Sequence, residues 1–206
     1  MFIISLKTEA AGERIELSDG SLFSFKVCYL PPEMPAYHDI AEGREINAAE
    51  EEAFRFAAEC LRAEKTALRL IARAEQCGPN LMRKLEKRKF TAACAGAVIS
   101  RLYELKLVDD RRFARLWLES RLRLARSPRR LLSSLCGHGI DRDDAEAALK
   151  AVLNEEETEL ALLKRFVKKH SRKVGREGED GERSLKYLLK SEGFSPQAIT
   201  RFLDEE

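Results

Sequence analysis

The sequence predicts a mainly α protein of tandem three-helix repeats, three units in all, with a small antiparallel β extension at the N-terminus. Three observations predict it. A leucine phrase occurs three times at near-regular spacing. Each copy is followed by the same helix-stop and helix-restart residues. The β-rich stretches are confined to residues 1–30.

The phrase occupies residues 81–90, 131–140 and 185–194, with starts 50 and 54 residues apart. Each copy reads leucine, three residues, leucine, four residues, then a large apolar residue. Leucines four apart share one helix face, and recurrence at this period marks stacked supersecondary units. The core positions are therefore Leu81, Leu85 and Phe90; Leu131, Leu135 and Ile140; Leu185, Leu189 and Phe194. Gly139 and Gly193 precede the last apolar residue of their copies, where a helix C-cap needs positive φ, and Lys89 stands there in the first. Thr91, Asp141 and Ser195 then serve as N-caps, with Pro196 at the first helical position. Phe194 and Ile199 make a hydrophobic staple across that start; Ala95 and Ala145 make weaker ones.

Taken from the N-terminus, residues 2–6, 14–17 and 21–30 predict three strands, with Asp19 and Gly20 turning between the last two. Pro31, Pro32 and Pro35 end the sheet, and residues 36–46 are a connector. The expected boundaries are 1–46 for extension and connector, 47–107 for the first repeat, 108–154 for the second and 155–206 for the third. The prolines and polar connector predict a separable extension, so that a chain starting near Asn47 would keep a cooperative melt. In the first repeat Phe54, Ala57, Ala58, Leu61, Leu68 and Ile71 form the stripe of the leading helix. In the second, Asp109 caps the leading helix between the staple residues Val108 and Phe113. Phe113, Leu116, Trp117, Ser120 and Leu124 then keep a three-four rhythm that places Trp117 in the core. Leu160, Leu163, Phe166 and Val167 do the same in the third, where residues 171–183 predict a mobile loop.

Composition supports elongated helical units: 35 % of residues are charged and 7 % aromatic. No apolar run approaches the roughly 20 residues of a membrane span, and residues 1–7 lack a signal-peptide pattern. A cytoplasmic protein with no membrane partner is expected. The five cysteines are scattered and form no C-x-x-C pair, which predicts free thiols rather than a metal site. No phosphate-binding glycine loop, zinc-protease or serine-elbow motif occurs. His38, His138 and His170 fall in separate segments, His138 as a surface turn residue. The pairs Asp109-Asp110 and Asp143-Asp144 are explained by helix starts. No catalytic residue, cofactor or metal is expected.

The charge is uneven although the net is +2. Residues 111–130 hold Arg111, Arg112, Arg115, Arg121, Arg123, Arg126, Arg129 and Arg130 against Glu119 alone. A second cluster holds Arg83, Lys84, Lys87 and Arg88, followed by Lys89. Basic residues at a helix start oppose the macrodipole, and arginine is suited to forked binding of carboxylate or phosphate. Both clusters are candidate partner-binding surfaces, the middle one foremost, with its six best candidates Arg112, Arg115, Arg123, Arg126, Arg129 and Arg130.

Residues 98–114, VISRLYELKLVDDRRFA, closely resemble the signature of the RecX family, regulators of the RecA recombinase. Leu102, Glu104, Leu105, Asp110, Phe113 and Ala114 match its pattern, while Lys106 and Leu107 replace the usual Gly-Tyr. Residues 128–140 look like the family's second motif, and residues 1–49 like the β-rich extension of its longer members. The resemblance implies a curved array of three-helix units lying in the groove of the RecA–DNA filament. Such a protein hinders filament extension, and with it ATP hydrolysis, strand exchange and co-protease activity. It would act as a monomer by occupying a surface. Beside the RecA filament, the same arginines would suit single- or double-stranded DNA, or an adaptor role for another partner.

Overall fold

The computed structural model describes residues 1–205 except 11, 33, 35–39, 156–158 and 175–178. The described residues form a three-stranded antiparallel sheet and nine α-helices. They fall into two compact units, Met1–Val108 and Asp109–Glu206.

In the first unit, β1 (Ile3–Glu9), β2 (Gly12–Leu17) and β3 (Leu22–Phe25) pair in the order β1-β2-β3. The register Ile15↔Phe23 and Glu13↔Phe25 puts Ile15, Leu17 and Phe25 on one buried face. The expected turn is present: the Asp19 carboxylate accepts the Ser21 N–H at 2.9 Å and Gly20 has φ +85°. The third strand is shorter than expected. It stops at Phe25, and a 3₁₀ turn over Val27–Tyr29 swings Tyr29 into the core. That turn frees Lys26 to reach Glu64 at 2.7 Å. Residues 43–46 run beside β1, with Ile3 N–H donating to Arg44 O at 3.0 Å and Ile46 N–H to Met1 O at 2.8 Å. Pro35 and His38, in the expected connector, lie outside the described residues.

Helix α1 (Ala48–Ile71) opens on a capping box between Asn47 and Glu50. Its Phe54, Ala57, Cys60 and Leu61 are buried, whereas Leu68, assigned to the same stripe, is exposed. The sheet packs directly on α1, with Phe25 and Phe54 ring centroids 5.1 Å apart. Helices α2 (Gly78–Glu86) and α3 (Ala92–Glu104) complete the unit. One apolar cluster joins Ile3, Ile15 and Phe25 to Phe54, Leu81, Leu85 and Leu102. This differs from the expectation of a separable extension. Helix α1 is apolar on two sides, one meeting the sheet and the other α3.

The second unit holds α4 (Asp110–Leu122), α5 (Pro128–Gly137), α6 (Arg142–Glu155), α7 (Glu159–Val174), α8 (Glu179–Glu192) and α9 (Pro196–Asp204). Within each triplet the first and third helices pack together, with the second against them. Leu131, Leu135, Ile140, Leu185, Leu189 and Phe194 are buried. The face of α4 is rotated from the expected one. Phe113, Ala114, Leu118 and Leu122 are buried, Trp117 is half-buried, and Leu116 and Ser120 are exposed. Phe90, like Trp117, is half-buried rather than a full core residue. Much of the expected 171–183 loop is helical: α7 runs to Val174 past an irregularity at His170 (φ −111°, ψ 16°), and α8 begins at Glu179. The remainder, 175–178, lies outside the described residues.

The three leucine phrases end in one geometry. Lys89, Gly139 and Gly193 have φ of +69°, +89° and +92°. In each copy the closing apolar residue donates its N–H back to the second leucine: Phe90 to Leu85 at 3.3 Å, Ile140 to Leu135 at 3.3 Å, and Phe194 to Leu189 at 3.1 Å. These are Schellman caps, which satisfy the last carbonyls of the helix; the apolar residue beyond is buried at Ile140 and Phe194 and half-buried at Phe90. Lys106 (φ +55°) closes α3 in the same way.

The helix that follows each cap is braced from the first helix of its repeat. Glu59 accepts the Thr91 N–H at 2.9 Å and its hydroxyl at 3.4 Å. Glu159 accepts the Ser195 N–H and hydroxyl, both at 2.7 Å. The middle repeat has Asp141 as its cap, which would repel a second carboxylate. There the sign is reversed, and Arg111 pairs with Asp144 at 2.8 Å.

Candidate functional site

The candidate surface is built from α4 and the start of α5. One face of α4 carries the buried residues. Turned away from it are Arg115, Leu116, Glu119, Ser120 and Arg123, all exposed, with Arg112 half-exposed among them. Leu116, Glu119, Ser120 and Arg123 line a shallow depression. Arg115 lies 3.8 Å from Glu119, a loose surface pair of little worth. Arg123 and Arg126 are exposed and form no ion pair among the described residues. Between α4 and α5 the chain passes through Ala125 at φ +52°, which turns Arg126 outward while Ala125 itself is buried.

The other candidates of this cluster have structural work. Arg111 belongs to the brace with Asp144, so the basic start of α4 has an explanation within the fold. A basic helix start is unfavourable only without a partner, and this one's partner comes from a helix 33 residues on. Arg121 sits over the Trp117 ring at 5.5 Å. Arg130 pairs with Glu192 at 2.9 Å. Arg129 packs against Gly193, where an added β-carbon would lie 2.9 Å from Arg129 Cβ. Ser127, buried, accepts the Arg130 N–H at 3.3 Å and donates to the Glu192 carbonyl at 2.5 Å. Arg129 and Arg130 thus help hold the second repeat against the third. Reversing both charges would therefore disturb the contacts with Glu192 and Gly193.

The second cluster lies in the first unit, and is mostly engaged in its own helix. Arg83 donates to Asn80 Oδ1 at 2.6 Å, Lys84 to Gln76 Oε1 at 2.5 Å, and Arg88 to the Lys84 carbonyl at 2.9 Å. Lys87 is exposed, with no ion pair among the described residues. His138 is half-buried, its ring edge-on to Phe113 and Trp117 at 5.7 and 5.5 Å. His170 stacks on Phe166, with Nδ1 2.9 Å from the Phe166 carbonyl. All five cysteines are free, Cys28 and Cys136 exposed and the others buried. Among the described residues no group of His, Cys, Asp and Glu is disposed to hold a metal, and no helix is long and apolar enough to cross a membrane.

Two functional candidates escaped the sequence reading. The three-four rhythm includes Leu116 in the stripe, whereas the buried stripe runs through Ala114, Leu118 and Leu122 and leaves it outside. Tyr187 on α8 is 77 % exposed, on one helix face with Arg183, Lys186 and Lys190. Its signal was an aromatic residue off the leucine phase among three cations.

Fold and surface together define a tandem three-helix-repeat protein that presents arginine on the outer face of its middle repeat. The family model described as "RecX, second three-helix domain" matches residues 109–149. The regulatory protein RecX of Treponema pallidum (strain Nichols) is 34 % identical over 152 residues, 73 % of this chain and 89 % of that one. RecX of Caldanaerobacter subterraneus is 26 % identical over 165 residues, 80 % of this chain and 81 % of its own. A crystal structure of regulatory protein RecX superposes with a TM-score of 0.78 at 18 % identity, covering 98 % of both chains. RecX from Lactobacillus salivarius superposes with a TM-score of 0.60 at 19 % identity, over 71 % of this chain and 96 % of that one. The chain belongs to the regulatory protein RecX family.

Proposed function

We propose that this protein is a non-enzymatic, cytoplasmic regulator that binds the RecA–DNA filament and restrains its extension, and with it ATP hydrolysis, strand exchange and co-protease activity. The observation that carries the reading is the outer face of α4 and its exit. Arg115, Arg123 and Arg126 are exposed there beside an exposed Leu116. An array of guanidinium groups around an apolar side chain suits a protein or protein–DNA surface rich in carboxylate or phosphate. Membership of the RecX family supports the same reading. Arg112 completes the face; Arg111, Arg121, Arg129 and Arg130, exposed but engaged with Asp144, Trp117, Glu192 and Gly193, flank it, and the Arg83, Lys84, Lys87 and Arg88 cluster is an accessory surface. The test is RecA-dependent ATP hydrolysis on single-stranded DNA, titrated with this protein. Inhibition at a small molar ratio to RecA is expected. No change in rate up to an equimolar amount overturns the proposal.

One observation favours a second reading, direct contact with DNA. The α8 face bearing Arg183, Lys186, Tyr187 and Lys190 joins cations to a stacking ring. Binding to oligonucleotide without any recombinase, falling steeply with salt and lost in Tyr187→Ala, would support it.

A further inference from the structure

The sheet of the first unit has an open edge at β3. At the opposite edge residues 43–46 hydrogen-bond with Met1 and Ile3, at the start of β1. β3 pairs with β2 on one side only. The Leu17 N–H donates to Ser21 O at 2.9 Å, so Ile15↔Phe23 and Glu13↔Phe25, two and four residues on, are also hydrogen-bonded pairs. Antiparallel alternation then turns the N–H and C=O groups of Leu22 and Ser24 away from β2, where they meet no backbone partner among the described residues.

A groove of about 470 Å³ lies along this edge. Leu22, Phe23 and Ser24 form one wall, and the α1 residues Arg55, Ala58, Leu61, Arg62 and Lys65 form the other. Its lining is mainly apolar at the base, with Leu61 buried, Ala58 half-buried and Leu22 exposed. The three cations stand on one side of α1, spanning about 15 Å of helix rise. That matches roughly four to five residues of extended chain. Glu51 pairs with Arg55. Arg62 and Lys65 are exposed and have no acidic partner among the described residues.

We propose that this groove binds an extended acidic peptide segment, which adds to β3 as a fourth strand and sets its carboxylates against Arg62 and Lys65. The open edge supplies main-chain hydrogen bonds, the apolar base accepts alternate side chains, and the α1 cations choose the charge. Nucleic acid fits less well. Phe23 is the one aromatic residue lining the groove and is half-buried, so the groove lacks the succession of rings on which bases stack.

The probe is a labelled hexapeptide of alternating glutamate and valine, titrated into the full chain by fluorescence anisotropy. Saturable binding is expected, with backbone amide shifts at Leu22 and Ser24 in NMR spectra. The double variant Arg62→Glu, Lys65→Glu should weaken it by about tenfold with an unchanged melt, since both residues are exposed. N-methylation of alternate peptide amides should abolish it, a control that leaves the protein untouched. Absence of saturable binding, equal binding of the lysine–valine peptide, or indifference to N-methylation overturns the proposal. Tighter binding of a short oligothymidylate, lost in the same double variant, overturns it in favour of nucleic acid.

Discussion

Two lysines and an alanine hold a backbone conformation that belongs to glycine. Lys89, Lys106 and Ala125 all have positive φ. Left-handed backbone costs a residue with a β-carbon about 1 kcal/mol. Lys89→Gly should therefore raise the stability of the first unit by about 0.5–1 kcal/mol, after allowing for the freer unfolded chain. Urea denaturation followed by circular dichroism would show it as a higher midpoint with the same slope. A midpoint at or below that of the parent chain would mean that the Lys89 cap is not strained. The converse change at Gly193 should be worse than strain alone requires, because Arg129 fills the space a β-carbon needs. Gly193→Ala is expected to lose more than Gly139→Ala, each by at least about 1 kcal/mol. Ser127→Ala should cost about 1–2 kcal/mol, since the buried hydroxyl both caps α5 and satisfies the Glu192 carbonyl. An unchanged melt would show that water replaces the hydroxyl there.

Among the elements, the sheet and α1 depend on each other most. Glu64 on α1 is 3 % exposed and receives Lys26 from the residue after β3. Burial, and then the Glu64 carboxylate, push the Tyr29 phenol far above its ordinary range. Lys26→Met would leave that carboxylate buried without its cation, at a cost of about 1–3 kcal/mol even with Lys26 partly in water. A chain beginning at Asn47 would uncover Phe54 and Leu61, and its α1 amides should exchange with deuterium far faster than in the full chain. Equal protection of α1 in the two chains would restore the separable extension expected from the prolines. The sequence revealed that extension's strands because their alternation and turn residues are local. The shared core was illegible because α1 must bury two sides, and a single-stripe reading recognises one. The same limit hid the rotation of α4, where the small Ala114 gave the true face a weak apolar signal. The braces Glu59–Thr91 and Glu159–Ser195 were hidden for a plainer reason: their partners lie 32 and 36 residues apart, with no periodicity to reveal them.

At the scale of the whole molecule, repeat number and helix order were legible because caps, leucines and glycines recur together. The candidate surface was legible only as a charge count. The fold divides that count into arginines held by neighbours and arginines left outward, a division that rests on Asp144, Glu192 and Gly193 coming close in space. The triple change Arg115→Glu, Arg123→Glu, Arg126→Glu should leave the melt within about 0.5 kcal/mol. It should also weaken inhibition of RecA by at least about tenfold, a loss near 1.4 kcal/mol. By contrast, Arg129→Glu with Arg130→Glu should lower the melting temperature first. If both sets reduce inhibition equally with equal loss of stability, the outward face has no special part in binding.

The bond from Ser127 to the carbonyl of Glu192 has a consequence for how the second unit comes apart. A linear array whose neighbours touched weakly could fray from its end, the last repeat melting while the middle one stood. Here the final turn of α8 is fastened to the first turn of α5 by Ser127, Arg129 and Arg130. Opening the third repeat therefore strips the N-cap hydroxyl of α5 of its acceptor, so the middle repeat loses support in the same event. Amide exchange in α5 and α8 should share one opening free energy, and a force applied at the C-terminus should release both repeats in a single step.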